Sequence, residues 1–288
     1  MSEEAETAEP KPKRRRRRAL GVLPTLFTLA NLVCGFLAIA YLADASNLFD
    51  SVEAHDARDK VVFAGWLILI AMVFDALDGR VARITRTTSE FGAQLDSLCD
   101  LVTFGVTPAL TGKVLVQGAF GIEEYGRLAF LAAAFYVVCA ALRLARYNSE
   151  HEEPTSAVTT ISGLATPGAA GVVAAVAICH PRILEWWMSA GLDQSVAAHL
   201  IAIGVLMGLG VLMVSRAPFP HFANSLLRSG NTVGRIALLL GALVIGIYLL
   251  EHWVLLIGFG LYAVSGPARV LPNLLRRRDK QAMTELFD

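Results

Sequence analysis

Between Asp75 and Asp100 the chain reads DALDGRVARITRTTSEFGAQLDSLCD, which sets four aspartates at the spacing D-x2-D-G-x2-A-R-x8-G-x3-D-x3-D between blocks of membrane-grade apolar sequence. Ionisable groups bordering a bilayer are costly and persist mainly where they bind a ligand or line a polar cavity. Close carboxylates also repel one another unless cations offset them. A divalent metal meets both conditions.

The spacing specifies the kind of site. On a helix advancing about 100° per residue, Asp75, Asp78, Gly79 and Ala82 share one face, and Gly92, Asp96 and Asp100 form a second stripe at i, i+4, i+8. Two such faces turned together gather four carboxylates around one point. With no thiolate and no imidazole in the run, an all-oxygen ligand set selects a hard ion, Mg2+ or Mn2+, over Zn2+. Gly79, Ala82 and Gly92 strip bulk from the same faces, so a helix or a ligand can approach the backbone. Arg83, one turn from Asp78 and Gly79, adds a planar fork suited to phosphate. Taken singly, an aspartate is a helix cap, a glycine a packing residue and an arginine a topology marker. The whole set within one short run exceeds what those separate readings explain.

Composition places the run in a membrane protein. Apolar residues make up 55% of the 288 residues and charged ones 17%, and the apolar residues fall in long blocks rather than in the alternation of a soluble core. Eight candidate spans follow, at about 22–43, 61–77, 95–116, 127–147, 163–180, 196–214, 233–250 and 253–271, each near the ~20 residues that cross ~30 Å of hydrocarbon. Gly105 with Pro108 interrupts the third, and the ATPGAAG run at 165–171 the fifth. The expected fold is all-α, a polytopic membrane helix bundle over 21–272 with both termini cytosolic. That orientation puts twenty of the 25 Lys and Arg residues on the inside, leaving Arg58, Lys60, Lys113, Arg127 and Arg182 outside. The aspartate run then faces the cytosol.

The flanks read as tails. Residues 1–20 are acidic, then proline-containing, then carry Arg14 to Arg18, and are expected to be disordered; 273–288 form a cytosolic C-terminal tail. The arginines beside a first span set topology and touch anionic lipid rather than nucleic acid. Cys34, Cys99, Cys139 and Cys179 sit in apolar spans without paired spacing, as packing residues. The six histidines are scattered singly, and Trp186, Trp187 and Trp253 read as an aromatic belt at the outer interface.

The run from Asp75 to Asp100 carries the full signature of the CDP-alcohol phosphatidyltransferases, and the chain resembles that family of integral membrane enzymes, which transfer a substituted phosphate from a CDP-linked donor to an alcohol and release CMP. The resemblance implies that Asp75, Asp78, Asp96 and Asp100 bind the metal and that Asp100 is also the general base. It implies that Gly79, Ala82 and Arg83, with Thr25 and Asn31 of the first span, receive the donor.

Five further segments resemble the phosphatidylserine synthase branch: LPTLFTLANLVCGFLAIAYL, DSLCDLVTFGVTPAL, ALRLARYN at 141–148, SGLATPGAAG at 162–171 and LMVSRAPFPHF at 212–222. In ALRLARYN, Arg143, Arg146 and Asn148 at a helix end hold either the acceptor's carboxylate or the donor's phosphates, unless they are a positive-inside pair alone. Two departures stand out. Thr25 occupies the place of an asparagine common in the branch, and Leu164-Ala165-Thr166-Pro167 replaces a Leu-Pro-Ser-Pro turn. The resemblance implies phosphatidyl transfer from CDP-diacylglycerol to L-serine, by a homodimer in the bacterial inner membrane. The nearer alternative keeps the chemistry with another acceptor, such as glycerol 3-phosphate, an inositol phosphate or a choline-type alcohol. The farther alternative is a cation-coupled transporter, against which stands the absence of an inverted repeat and the placement of the acids near a membrane face.

Overall fold

The computed structural model describes residues 13–48, 54–85, 89–119, 126–152, 163–191, 196–217, 219 and 253–285. All regular structure among them is helical: α1 (Lys13–Leu48), α2 (Ala54–Thr85), α3 (Glu90–Asp100), α4 (Thr107–Val114), α5 (Gly126–Glu152), α6 (Thr166–Ser189), α7 (Val196–Val214) and α8 (Trp253–Glu285). Five stretches are long and apolar enough to cross a membrane, Val22–Asn47, Asp56–Thr85, Glu90–Gln117, Gly126–Ser149 and Thr166–Ser189, with shorter apolar helices at His199–Val214 and Trp253–Arg269. The expected span at 233–250 lies outside the described residues. Both expected tails are entered by helical backbone, from Lys13 at one end and up to Glu285 at the other.

α2 explains how one helix is both a span and a carrier of the site. Its 32 residues reach roughly 48 Å at 1.5 Å per residue, well beyond ~30 Å of hydrocarbon. The surplus length holds Asp75 to Arg83 at one end of the bundle.

The third span is continuous where a break was expected. π-helical turns at Leu101–Val106 and Leu115–Ala119 join α3, α4 and the residues beyond into one rod. The cause is Pro108, which has no N–H and cannot fill the carbonyl one turn earlier. The chain widens by one residue there: the Thr107 N–H and hydroxyl both reach Val102 O. The Phe104 carbonyl, the one Pro108 would have served, accepts instead from the hydroxyl of fully buried Tyr136 on α5 at 3.3 Å. A π-turn of this sort is a common device near functional residues, and this one begins directly after Asp100.

Around that rod the helices pack through small side chains. α1 lies along α2, with Ala38, Leu42 and Ala45 buried against Ala57, Val61 and Ala64. Gly35 brings α1 so close that a Cβ there would stand 2.5 Å from Thr103 Oγ1. Such approach is the main source of affinity between helices in lipid, where no hydrophobic effect drives them together. The Glu90–Gln117 and Thr166–Ser189 spans are each 72% buried within the bundle, against 33–39% for the other three long spans, so they are its central helices. Phe36, Val138 and Leu261 point outward, as lipid-facing residues do.

The ATPGAAG run proves to be a helix start rather than an interruption. Pro167 sits in the first turn of α6, where a missing N–H costs nothing, and the helix runs past the expected end at 180 to Ser189. Just before it, Gly163 adopts φ +93°, in the left-handed region that favours glycine. Its N–H donates to Ala217 O at 2.9 Å and the next N–H, of Leu164, donates to Leu212 O at 2.9 Å, docking this corner on the end of α7.

Tyr136→Phe leaves the Phe104 carbonyl buried without its donor. The expected cost is about 1–3 kcal/mol, read as a lower thermal unfolding midpoint in detergent with the fold retained.

Candidate active site

The site forms where the surplus length of α2 meets the start of α3. Ser89 caps α3, its Oγ accepting from Gly92 N at 3.0 Å, and this fixes the register of Asp96 and Asp100 that follow. One carboxylate oxygen from each of Asp75, Asp78 and Asp96 then falls within 4.8 Å of the others. Asp75 and Asp78 of α2 and Asp96 of α3 are thereby brought to one point.

Two buried oxygens in this cluster, Asp78 Oδ2 and Asp96 Oδ1, have no hydrogen-bond partner. A buried carboxylate oxygen left unpaired is strongly unfavourable. Bare oxygens from three acids, with no sulfur or nitrogen among them, are the donor set of a hard divalent cation. The residues fit Mg2+ or Mn2+.

Asp100 lies one turn further along α3 and is buried, facing the charges of Asp75 and Asp96. Its Oδ1 accepts from Asn31 Nδ2 on α1 at 3.0 Å. Asp100 is thus set beside the cluster of three rather than within it. Asn31, expected from the resemblance to contact the donor, is fully buried with its side-chain amide on Asp100.

A cleft of about 390 Å³ opens over the acids. Asp78 and Asp96 are in its wall together with Thr25, Gly79, Ala82 and Arg83, so four of the five residues expected to receive the donor line one space. Gly79 leaves its surroundings open, since a Cβ there would meet nothing within 4 Å. Arg83 is anchored through Nε to Gly79 O at 2.9 Å, holding its guanidinium on the cleft wall. Thr28, Ser89 and Tyr147 also line it and were not singled out by sequence reasoning. Their signal is weak, because Thr and Tyr in apolar helices usually satisfy local carbonyls, as Thr28 does with Pro24 O at 3.1 Å.

The ALRLARYN residues divide. Asn148 reaches α3, its Nδ2 donating to Ser97 Oγ at 2.9 Å, one residue from Asp96. Arg146 donates to Val214 O at the end of α7, at 3.2 Å. Arg143 is buried, with Nη1 against the Gly163 corner and Tyr262 of α8 nearby. The rim of α5 therefore joins α3, α7 and α8 at the same end of the bundle as the acids.

Asp78→Asn and Asp96→Asn each remove one bare ligand oxygen. Each is expected to lower Mn2+ affinity by about tenfold or more, measured by calorimetry on solubilised protein, without loss of membrane insertion.

Comparison with known proteins places the chain in a family. The family model described as CDP-alcohol phosphatidyltransferase matches residues 21–209. The chain is 34% identical over 203 residues to the CDP-diacylglycerol–serine O-phosphatidyltransferase of Helicobacter pylori strain J99, covering 70% of this chain and 73% of that one. It is 31% identical over 262 residues to the protein of that name from Mycobacterium bovis, covering 86% and 79%, and 31% identical over 205 residues to the one from Bacillus subtilis, covering 70% and 92%. The region matched by the family model runs from within α1 to within α7 and contains all four aspartates and the whole cleft. The chain belongs to the CDP-alcohol phosphatidyltransferase family.

Proposed function

We propose that this protein transfers the phosphatidyl group of CDP-diacylglycerol to L-serine, giving phosphatidylserine and CMP. The observation that carries the reading is the cluster of Asp75, Asp78 and Asp96, in which Asp78 and Asp96 carry bare buried oxygens and stand on the wall of a cleft shared with Gly79, Ala82 and Arg83. Serine as acceptor is supported by the names of the relatives from Helicobacter pylori, Mycobacterium bovis and Bacillus subtilis.

Each residue has a role in that reading. Asp75, Asp78 and Asp96 hold the divalent ions, with Asp100 at the edge of the site. When bound, such ions offset the charge of the pyrophosphate as it develops on the leaving group. Gly79 and Ala82 admit the donor against the α2 backbone, and Arg83 and the N-terminus of α3 face its phosphates. Thr25 supplies a hydroxyl where the nucleotide enters. Asp100 takes the serine hydroxyl proton as the serine oxygen attacks the lipid-bearing phosphorus. The P–O bond to CMP breaks, and CMP leaves with the electron pair. Arg143 and Arg146 provide the positive charge that draws the serine carboxylate to this rim, and Asn148 stands between them and α3.

The same reading extends to the whole chain. It is a bundle of eight spans with both termini and the cleft in the cytosol, supported by the bias of Lys and Arg toward that side. It resides in the bacterial inner membrane and works as a homodimer through lipid-facing helix surfaces.

Excess chelator is expected to abolish CMP release, and Mg2+ or Mn2+ to restore it. A panel of labelled alcohols with CDP-diacylglycerol tests the acceptor: turnover with glycerol 3-phosphate or an inositol phosphate in place of serine reassigns it, and full turnover under chelation refutes the metal site.

Arg143→Lys is expected to raise the KM for serine by about tenfold, because a point charge cannot reproduce a bidentate fork. A change confined to the KM for CDP-diacylglycerol moves Arg143 to the donor.

A further inference from the structure

Asn31 is fully buried between α1 and the third span, and its surroundings are unusually specific. The side-chain amide donates to Asp100 Oδ1 at 3.0 Å, while the main-chain carbonyl of the same residue accepts from Thr103 Oγ1 at 3.3 Å. Thr103 follows Asp100 by one turn. One turn further on both helices, Thr107 Oγ1 donates to Gly35 O at 3.3 Å. The two helices therefore run in the same direction and are pinned at matched heights, with the Gly35 contact leaving no space for either to slide. One and a half turns before Asn31 on α1 stands Thr25, and one turn before it Thr28, both on the cleft wall.

We infer that Asn31 is a positioning residue for Asp100: it holds one oxygen of the carboxylate and registers it against the donor cleft, so that the other oxygen meets the acceptor hydroxyl. This rests on the reading of Asp100 as general base given above. A base must lie within hydrogen-bond reach of the proton it removes. A carboxylate on a helix retains rotation about two bonds, and burial beside Asp75 and Asp96 would otherwise turn it away from those charges. The amide donor fixes one oxygen and removes that freedom. A neutral donor does so without adding a cation that would compete with the metal ions for the same carboxylate. The buried Asn31 Oδ1 has no hydrogen-bond partner, so the amide is retained for its N–H and not for a balanced pair of bonds.

The test is a double-mutant cycle with Asp100→Asn, read as single-turnover CMP release alongside equilibrium binding of CDP-diacylglycerol and of Mn2+. Asn31→Ala is expected to lower the chemical step by about 10–100-fold, with donor and Mn2+ affinities within about twofold of the parent protein. In the Asp100→Asn background the same substitution should change the rate little, because the group being positioned is already gone. Asn31→Leu nearly keeps the volume of the site and removes the N–H donors without adding charge, so it is expected to show the same rate loss without a large cavity. Loss of donor binding with an unchanged rate of chemistry returns Asn31 to the donor site and overturns the proposal. So do full additivity with Asp100→Asn, or failure of both Asn31 variants to assemble, which leaves a purely structural role. An Asp100→Asn protein that turns over at the parent rate refutes the general-base reading itself, whatever Asn31 does.

Discussion

Three carboxylates within 4.8 Å of one another at the end of a membrane bundle repel strongly, and the rest of the structure is arranged so that they stay there. Repulsion of this kind is relieved by spreading the helices or by a cation. Spreading is resisted by close packing. Gly35 seats α1 on Thr103, small residues bury α1 on α2, and the central spans are enclosed by their neighbours. The acids are left with bare buried oxygens, the ligands a cation takes. Catalytic power and folding stability thus pull in opposite directions at this point, as is usual where charge is gathered for chemistry.

The π-turn after Asp100 shows how local chemistry serves the site. Pro108 forces the helix to widen, and the widening rotates the residues beyond it relative to those before it. Thr103 and Thr107 both donate to carbonyls of α1, and Asp100, one turn earlier, accepts from Asn31 of the same helix. The carbonyl left over is closed by Tyr136 from α5, a partner within the bundle of the kind lipid requires.

At the rim, α5 is tied to three partners: Asn148 to Ser97, Arg146 to Val214 and Arg143 to the Gly163 corner. These residues have a structural explanation as well as a proposed one at the acceptor. The two are compatible, since a guanidinium offers five N–H donors and a single carbonyl uses one.

The carboxylate cluster was legible from the amino-acid sequence alone because helical periodicity converts spacing directly into a shared face: Asp75 with Asp78, and Asp96 with Asp100, needed only the 3.6-residue repeat. Apolar block length likewise determined the all-helical membrane class, and the Asp75–Asp100 signature determined the family. The sequence could not say that Pro108 widens a helix instead of ending it, that Pro167 opens α6 rather than breaking it, or that the Asn31 amide turns to Asp100. Those outcomes depend on which partner a freed carbonyl or a buried amide finds. The partner lies 32 residues away for Phe104 and 69 for Asn31, and only the packed bundle brings such distant groups within hydrogen-bonding range.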